Sequence, residues 1–263
     1  MDQPVQVVAL DHALREISGL AYHAGMLYAL QDEDGRVFQL DPSSGDILRD
    51  DKFWKDGDFE GIEVSDTLGI ALKSNGNLYL FNLDDPDDDE TRKVDSGLSN
   101  AVNFEGLGYD QVTRQLLLAA KRNPDVVRKE IYALDIALPA DTMALQQVTA
   151  LDQTELLAWI MSGDEKGLSR FRKNLAAATY SFNPSGIAVH PLTRERFVLS
   201  SPVPQLLVLT DQWELRDHIF LDPIRFRQPE AICFDREGNL YIANEGQGAR
   251  GNLLKFAFDE TSD

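Results

Sequence analysis

The sequence lacks most of the residue patterns from which a catalytic or metal centre is usually recognised. It has one cysteine, Cys233, which excludes an intrachain disulfide and any site built on several cysteines. Its four histidines are scattered, with no His-x-x-x-His pair, and it has no Gly-x-Ser-x-Gly turn. Zinc-hydrolase and serine-esterase chemistry therefore have no support in the sequence.

Positive charge and long apolar runs are also scarce. Lysine and arginine number 25 against 44 aspartates and glutamates, which gives the 263 residues a net charge of −19. So acidic a chain is repelled by phosphate backbones and anionic membrane surfaces, and we expect no nucleic-acid partner. No apolar run approaches ~20 residues, so we expect no membrane insertion. The first residues lack the basic and apolar segments of an export signal, so we expect no signal peptide in this sequence.

What the sequence does have is an internal repeat. One pattern occurs five times: a polar residue, any residue, Ser or Glu, a small residue and an aliphatic residue. It occupies residues 16–22, 58–64, 103–109, 183–189 and 228–234. Its Ser or Glu positions are separated by 42, 45, 80 and 45 residues. A period of ~40–45 residues with short strands is typical of β-propeller blades.

The segments between the motifs predict the rest of each blade. Two further strands follow each motif after short turns, and a fourth, more polar strand is readable in most repeats. The last repeat lacks its own fourth strand, whereas the apolar segment 5–10 precedes the first motif. We therefore predict an all-β, five-bladed propeller in a single domain over residues 1–263. Segment 5–10 would supply the missing outer strand and close the ring, which leaves no strand edge unpaired.

The interval of 80 residues leaves room for a sixth blade, which is the alternative. Residues 153–178 read instead as helix, because Thr154 can cap a segment in which Leu156, Leu157, Ile160 and Met161 recur at helical spacing. We favour five blades plus this helical insertion. It would either cover one mouth of the central channel or pack on the edge of a blade.

The Ser or Glu of each motif is expected to face the channel, because the innermost strand of a blade lines it and strand side chains alternate. Glu60, Glu105 and Glu230 should converge near the axis, with Ser18 and Ser185 completing the ring. The polar residues two positions earlier form a second layer: Glu16, Asp58, Asn103, Asn183 and Gln228.

Three converging glutamates need a positive partner or a proton. At ~5 Å and an effective dielectric of ~20, each pair of carboxylates repels by roughly 3 kcal/mol. A retained proton, an internal lysine (Lys73 or Lys121) or a bound cation would relieve this repulsion. Oxygen ligands without His or Cys select a hard ion, and flexible sites suit Ca²⁺ better than Mg²⁺. We predict calcium held by the three glutamates, with purely structural pairing of glutamates to lysines or backbone as the alternative.

The ends of the second strands add polar residues near one mouth of the channel. Asp32, Asn244 and Glu245 are candidate ligands or substrate contacts. The alternative is turn chemistry, in which Asp and Asn side chains bond their own backbone.

Several of these segments resemble one known family. The motifs at 18–22, 104–109 and 230–234, with segments 31–33 and 238–245, resemble the SdiA-regulated (YjiK-like) family, distantly similar to NHL-repeat proteins. The resemblance runs from about residue 14 to 258. It implies a five-bladed propeller with a calcium site in the channel and no established reaction. Family members usually carry an N-terminal signal or anchor, which implies the periplasm or cell envelope, a location on which the sequence itself is silent.

These expectations favour a calcium-binding propeller that binds a small molecule or a protein, neither of which the sequence identifies. The alternative is a calcium-dependent hydrolase or lactonase at the channel mouth, where the ion would polarise a carbonyl. No general base is evident beyond the glutamates themselves.

Overall fold

The computed structural model describes residues 3–87, 89–98, 102–136, 144–162, 180–201 and 203–258. The described chain begins with strand β1 (Gln6–Ala9) and a short 3₁₀ helix (His12–Leu14). The remaining strands form blades in the order of the sequence, and five four-stranded antiparallel sheets result. The predicted all-β, five-bladed propeller is confirmed.

The strands of each blade run from the axis outward. Blade 1 contains β2 (Ile17–His23), β3 (Met26–Gln31), β4 (Arg36–Leu40) and β5 (Ile47–Lys52). Blade 2 contains β6 (Phe59–Ser65), β7 (Leu68–Lys73), β8 (Leu78–Asn82) and β9 (Arg92–Val94). Blade 3 contains β10 (Asn103–Asp110), β11 (Gln115–Arg122), β12 (Arg128–Asp135) and β13 (Gln146–Asp152).

The last two blades differ in how they are completed. Blade 4 contains β14 (Pro184–Val189), β15 (Arg196–Ser200), β16 (Gln205–Leu209) and β17 (Leu215–Phe220). Blade 5 contains β18 (Pro229–Phe234), β19 (Leu240–Asn244) and β20 (Asn252–Phe256), and its outer strand is β1. β1 pairs antiparallel with β20, with Gln6 opposite Lys255 and Ala9 opposite Asn252.

A β-bulge lies at the same place in every inner strand. The pairing with the second strand skips the Ser or Glu of the motif in all five blades: Ser18, Glu60, Glu105, Ser185 and Glu230. A bulge leaves the extra residue out of the ladder and re-aims its side chain. The bulges therefore give the five motif side chains a common orientation.

The small residue after each bulge lets neighbouring inner strands approach closely. A Cβ on Gly61 of blade 2 would lie 2.7 Å from Cβ of Leu107 in blade 3. A Cβ on Gly19 would lie 2.8 Å from the backbone nitrogen of Ile62. Only a glycine fits at these two contacts, so the motif's small residue serves the packing of the ring.

Apolar side chains fill the space between adjacent blades. Between blades 1 and 2, for example, Phe53 stacks on Phe81 with ring centroids 4.4 Å apart and meets Phe59 edge-on at 5.1 Å. Because both faces of each sheet are covered by neighbours, the second strands, such as β11, read as nearly continuous apolar runs.

The helix lies between blades 3 and 4. α1 (Gln153–Ser162) buries Leu156 and Ile160 in the cluster that also contains Phe182. Asp152 caps it, since its carboxylate accepts hydrogen bonds from the backbone N–H groups of residues 154 and 155 at 2.9 and 3.2 Å. The sequence prediction placed this cap two residues later.

The remainder of the predicted helical insertion, residues 163–178, lies outside the described residues. In the part of the chain that the structure covers, no helix is long and apolar enough to cross a membrane.

Candidate functional site: the two mouths of the channel

The inner strands share one direction, so the channel has two distinct mouths. We call the end at which the five inner strands begin the upper mouth, and the end at which they finish the lower mouth. At the upper mouth, the end of each second strand lies beside the start of its inner strand, as in the pairs Phe59–Lys73, Asn103–Arg122 and Pro229–Asn244.

The five bulged side chains meet inside the ring. A small cavity of about 10 Å³ is lined by Ser18, Glu60, Glu105, Ser185 and Glu230 together with small and aliphatic residues that follow them in the motif. That volume holds about one water molecule. The structure thus brings together the axial residues that the sequence singled out, including the three glutamates predicted as metal ligands.

A lysine and a proton relieve the repulsion among the three glutamates. Burial, reinforced by the charge of Glu105, raises the pKa of Glu60 to about 10, so this carboxyl is protonated at neutral pH. Glu105 forms an ion pair with Lys121. Burial opposes the charge on Lys121, but Glu105 raises its pKa overall. Burial raises the pKa of Glu230 to about 7, although Lys121 acts in the other direction.

The two serines of the axial ring hold neighbouring blades together. The Ser18 hydroxyl donates a 2.7 Å hydrogen bond to the carbonyl of Phe59 in blade 2. The Ser185 hydroxyl donates a bond of the same length to the carbonyl of Pro229 in blade 5. Because these hydroxyls satisfy a neighbour's backbone, their role in the structure is to join blades.

An outer ring of oxygen atoms surrounds the upper mouth, and three of them are buried without a hydrogen-bond partner. They are Oδ1 of Asp32, Oδ1 of Asn103 and Oδ1 of Asn244. The Asn244 amide nitrogen donates to Asn252 at 2.8 Å, which leaves its oxygen free to accept. Buried polar atoms are nearly always satisfied, so each of these acceptors needs a partner, which a water molecule, a ligand or a cation can supply.

The carboxylates of this outer ring also raise one another's pKa values by electrostatic repulsion. Burial raises the pKa of Asp32 to about 6, with further contributions from Glu16, Glu33 and Asp58. Burial and the neighbouring Asp32 raise the pKa of Glu245 to about 7. The upper mouth therefore holds several carboxyls that titrate near neutral pH.

Two other predicted contacts have structural partners. Lys73 Nζ lies 5.5 Å from the centroid of the Phe59 ring, in a cation–π contact, rather than in an ion pair with the axial glutamates. The Asn183 amide donates to Ser181 at 2.6 Å, and its backbone N–H donates to Ser200. Of the two lysines proposed as internal cations, Lys121 alone forms an ion pair with the glutamate ring in the described residues.

The lower mouth opens into a larger cavity that the sequence reasoning missed. Its volume is about 600 Å³, and all five inner strands contribute to its wall. Glu63 lies three residues after the bulge, where the other motifs have only small residues: Ala21, Gly108, Ala188 and Cys233. This break in the repeat was a signal available in the sequence.

Comparison with known proteins gives the chain a family. The sequence profile of the family described as SdiA-regulated matches residues 4–247. The chain belongs to the SdiA-regulated family. No curated protein matches its sequence.

Solved structures share the fold of this SdiA-regulated protein at low identity. A luciferin-regenerating enzyme has a TM-score of 0.54 at 9% identity, over 98% of this chain and 96% of that chain. A regucalcin from Agrobacterium tumefaciens strain C58, described as a calcium-binding protein, has a TM-score of 0.52 at 9% identity, over 94% and 92%. A chain of a nidogen/laminin complex has a TM-score of 0.52 at 13% identity, over 87% of this chain and 72% of that chain. These likenesses establish the propeller fold.

A metal at the upper mouth of this SdiA-regulated propeller would need a mixed set of oxygen ligands. Within the described ranges, no three His, Cys, Asp or Glu side chains are gathered closely enough to hold a metal ion by themselves. The unsatisfied amide oxygens of Asn103 and Asn244, with the carboxylate of Asp32, are donors of the type that Ca²⁺ accepts, and water completes many calcium sites. The donor chemistry fits calcium, provided that amide or water oxygens take part.

Proposed function

We propose that this SdiA-regulated propeller is a calcium-binding module that uses its upper mouth to bind a small molecule or a protein. The observation that carries the proposal is the set of three buried, unsatisfied acceptor oxygens, on Asp32, Asn103 and Asn244. A cation within reach of these oxygens would coordinate them and would also favour the ionised form of the neighbouring carboxyls.

The choice of calcium rests on the kind of donors. The mouth offers carboxylate and amide oxygens and no imidazole or thiolate, which selects a hard cation. Glu60, Glu105 and Glu230 would face the ion from the axis, and Asp32, Asn103 and Asn244 from the outer ring. Glu105 is paired with Lys121, so its participation requires that lysine to release it. The regucalcin of the same fold is described as calcium-binding, which agrees with this proposal.

Calorimetric titration of the metal-free protein with CaCl₂, together with melting curves, tests the proposal. We expect saturable binding and a melting temperature that rises with calcium, since a ligand at 100 times its Kd stabilises the folded state by about 2.7 kcal/mol. Removing two of the unsatisfied oxygens, in Asp32→Ala with Asn103→Ala, should lower the affinity at least about tenfold.

The exposed acidic loop after β8 of blade 2, which contains Asp84, Asp85 and Asp87, supplies the matched control. Asp85→Asn with Asp87→Asn removes charge from an exposed segment away from the channel and should leave the titration unchanged. The proposal is wrong if calcium at ~100 times a typical extracellular-module Kd of ~10⁻⁴ M produces neither heat nor a melting shift. An equal loss of affinity in the loop variant would move the site out of the channel.

A second candidate function is a calcium-dependent hydrolase or lactonase at the same mouth. One observation favours it: Glu230 and Glu245 both have a pKa raised to about 7 by burial, which suits a general base at neutral pH. A panel of lactones and esters, assayed with calcium and with chelator, separates the two functions. Calcium-dependent turnover that disappears in Glu245→Gln supports the enzyme, whereas a flat panel with a calcium-raised melting temperature supports the binding module.

A further inference from the structure

The cavity at the lower mouth is a site distinct from the upper mouth. It has a volume of about 600 Å³, within the range of small-molecule pockets. Every blade contributes the last residues of its inner strand to the wall, so the cavity is a property of the closed ring. The residues of the upper mouth form no part of its lining.

A carboxyl and a thiol lie deep in this cavity. Glu63 stands at the position that holds only Ala21, Gly108 and Ala188 in three other blades, and Cys233 stands there in the fifth. The Glu63 carboxyl accepts hydrogen bonds from the backbone of Val64 and of Tyr109 in the next blade. Burial raises the pKa of Glu63 to about 8, so at neutral pH the group keeps a hydroxyl that can donate.

The middle of the cavity wall is aromatic. Tyr22, Tyr109 and Phe234 come from three different blades, and each is partly exposed where it lines the cavity. Exposed aromatic faces in a pocket suit a flat, apolar ligand body.

The rim carries positive charge that the protein leaves unpaired. Arg194 is bound to Asp110 at 2.8 Å, and Asp235 is occupied by Asn239 at 2.8 Å and Lys255 at 3.4 Å. Arg114 and Arg236 are exposed, and the described residues give neither of them an ion pair. Asp110 and Asp235 are therefore satisfied, whereas Asp66 is exposed and Glu237 and Asp84 lie near Tyr22 and His23. Two guanidinium groups remain available.

We propose that the lower mouth binds a small aromatic carboxylate. Its carboxylate would meet the rim arginines, Arg114 and Arg236, and its ring would lie against Tyr22, Tyr109 and Phe234. An acceptor on the ring side would receive the hydrogen bond of Glu63. Arginine is suited to the rim role because its planar donors match a carboxylate.

The single cysteine makes the occupancy of this cavity measurable. Cys233 lines the cavity and is the one thiol in the chain. It is buried and burial raises its pKa, so we expect slow modification, and the rate at which methyl methanethiosulfonate adds to it, followed by intact mass, reports access to the cavity. We expect benzoate and 2-naphthoate to slow this modification, and their amides, benzamide and 2-naphthamide, to do so at least about tenfold less effectively, because the amides cannot form a charge-assisted bond. Saturation-transfer NMR with the same four compounds gives an independent readout that does not depend on the reactivity of the thiol.

Arginine variants test whether Arg114 and Arg236 bind the carboxylate of the ligand. The double variant Arg114→Gln with Arg236→Gln should weaken protection by benzoate at least about tenfold. Arg227→Gln removes one exposed positive charge from the opposite end of the ring and should leave the protection unchanged. The proposal is overturned if neither acid protects Cys233 or gives saturation transfer, or if the amides bind as well as the acids. It is also overturned if the double variant binds the acids like the wild type.

Discussion

The two mouths of the channel are the two ends of the same five strands, yet they differ in charge and in the groups that neutralise their carboxylates. At the upper mouth, oxygen atoms from several blades lie close together, and in the described residues Lys121 pairs with Glu105 near the axis while Arg15 pairs with Glu16 farther out. At the lower mouth, each of two buried aspartates already has a basic partner, and arginines remain exposed on the rim. A repeat can thus keep one backbone arrangement at both ends while its side chains suit one end to cations and the other to anions.

The largest expected effect comes from removing the cation of each mouth in turn. Lys121→Met leaves Glu105 buried without its charge partner, and we expect a loss of about 3 kcal/mol in the free energy of unfolding at pH 7. Arg194→Met should cost less, since Arg196 lies 3.8 Å from the same carboxylate of Asp110 and can partly replace it. Urea unfolding measures both.

A rescue variant distinguishes lost charge from lost packing in this comparison. Adding Glu105→Gln to Lys121→Met should restore most of the stability, because no uncompensated charge then remains. Equal losses for Lys121→Met and Arg194→Met, or a double variant no more stable than Lys121→Met, would contradict the contrast drawn between the mouths.

The next effect is a dependence of stability on pH to which both mouths contribute. Burial raises the pKa of Glu63 to about 8 and of Glu230 to about 7, above the usual value of 4.5 for glutamate. The folded chain therefore retains protons that the unfolded chain releases, and stability falls as pH rises from about 5 to about 8. Glu63→Gln removes the lower mouth's contribution to this change in the free energy of unfolding, up to about 1.4 kcal/mol per pH unit.

Unfolding curves at several pH values in that range, with and without calcium, separate the two shares. If the upper mouth binds calcium, the ion should flatten the part of the slope that remains in Glu63→Gln, because it holds the upper carboxyls in their ionised form. A slope unchanged by Glu63→Gln would mean that this carboxyl is ionised in the folded protein, against the structure.

The smallest effect concerns the hydrogen bonds between blades at the axis. Ser18→Ala and Ser185→Ala each remove one bond to a neighbouring backbone carbonyl, and we expect about 1 kcal/mol from each by urea unfolding. The two sites lie between different pairs of blades, so the losses should add. A neutral result for both would mean that water replaces the hydroxyls at the axis.

The sequence predicted the fold well because the fold is repeated in it. The repeated motif, its spacing and the alternation of side chains along a strand predicted the number of blades and the convergence of the motif glutamates and serines. The sequence alone could not distinguish Lys73 from Lys121, because both lie at the end of a second strand. The choice depends on what each side chain meets in space: the Phe59 ring for Lys73 and the Glu105 carboxylate for Lys121.

The lower mouth escaped prediction for a different reason. Its cavity is formed by residues from five segments far apart in the chain, and only the ring places Glu63 opposite small residues. Likewise the unsatisfied oxygens of Asp32 and Asn244 are visible only once every possible partner has been located. Such features arise only in the folded ring, although Glu63, the residue that departs from the repeat, was a sign in the sequence of the cavity at the lower mouth.

The pairing of β1 with β20 also affects how the molecule can be made. Gln6 is synthesised 249 positions before its partner Lys255. During synthesis the first strand must therefore wait, exposed, while four complete blades emerge ahead of its own sheet. The strand has only four residues, which limits its pairing with other nascent chains, although its exposed side carries the apolar Val7.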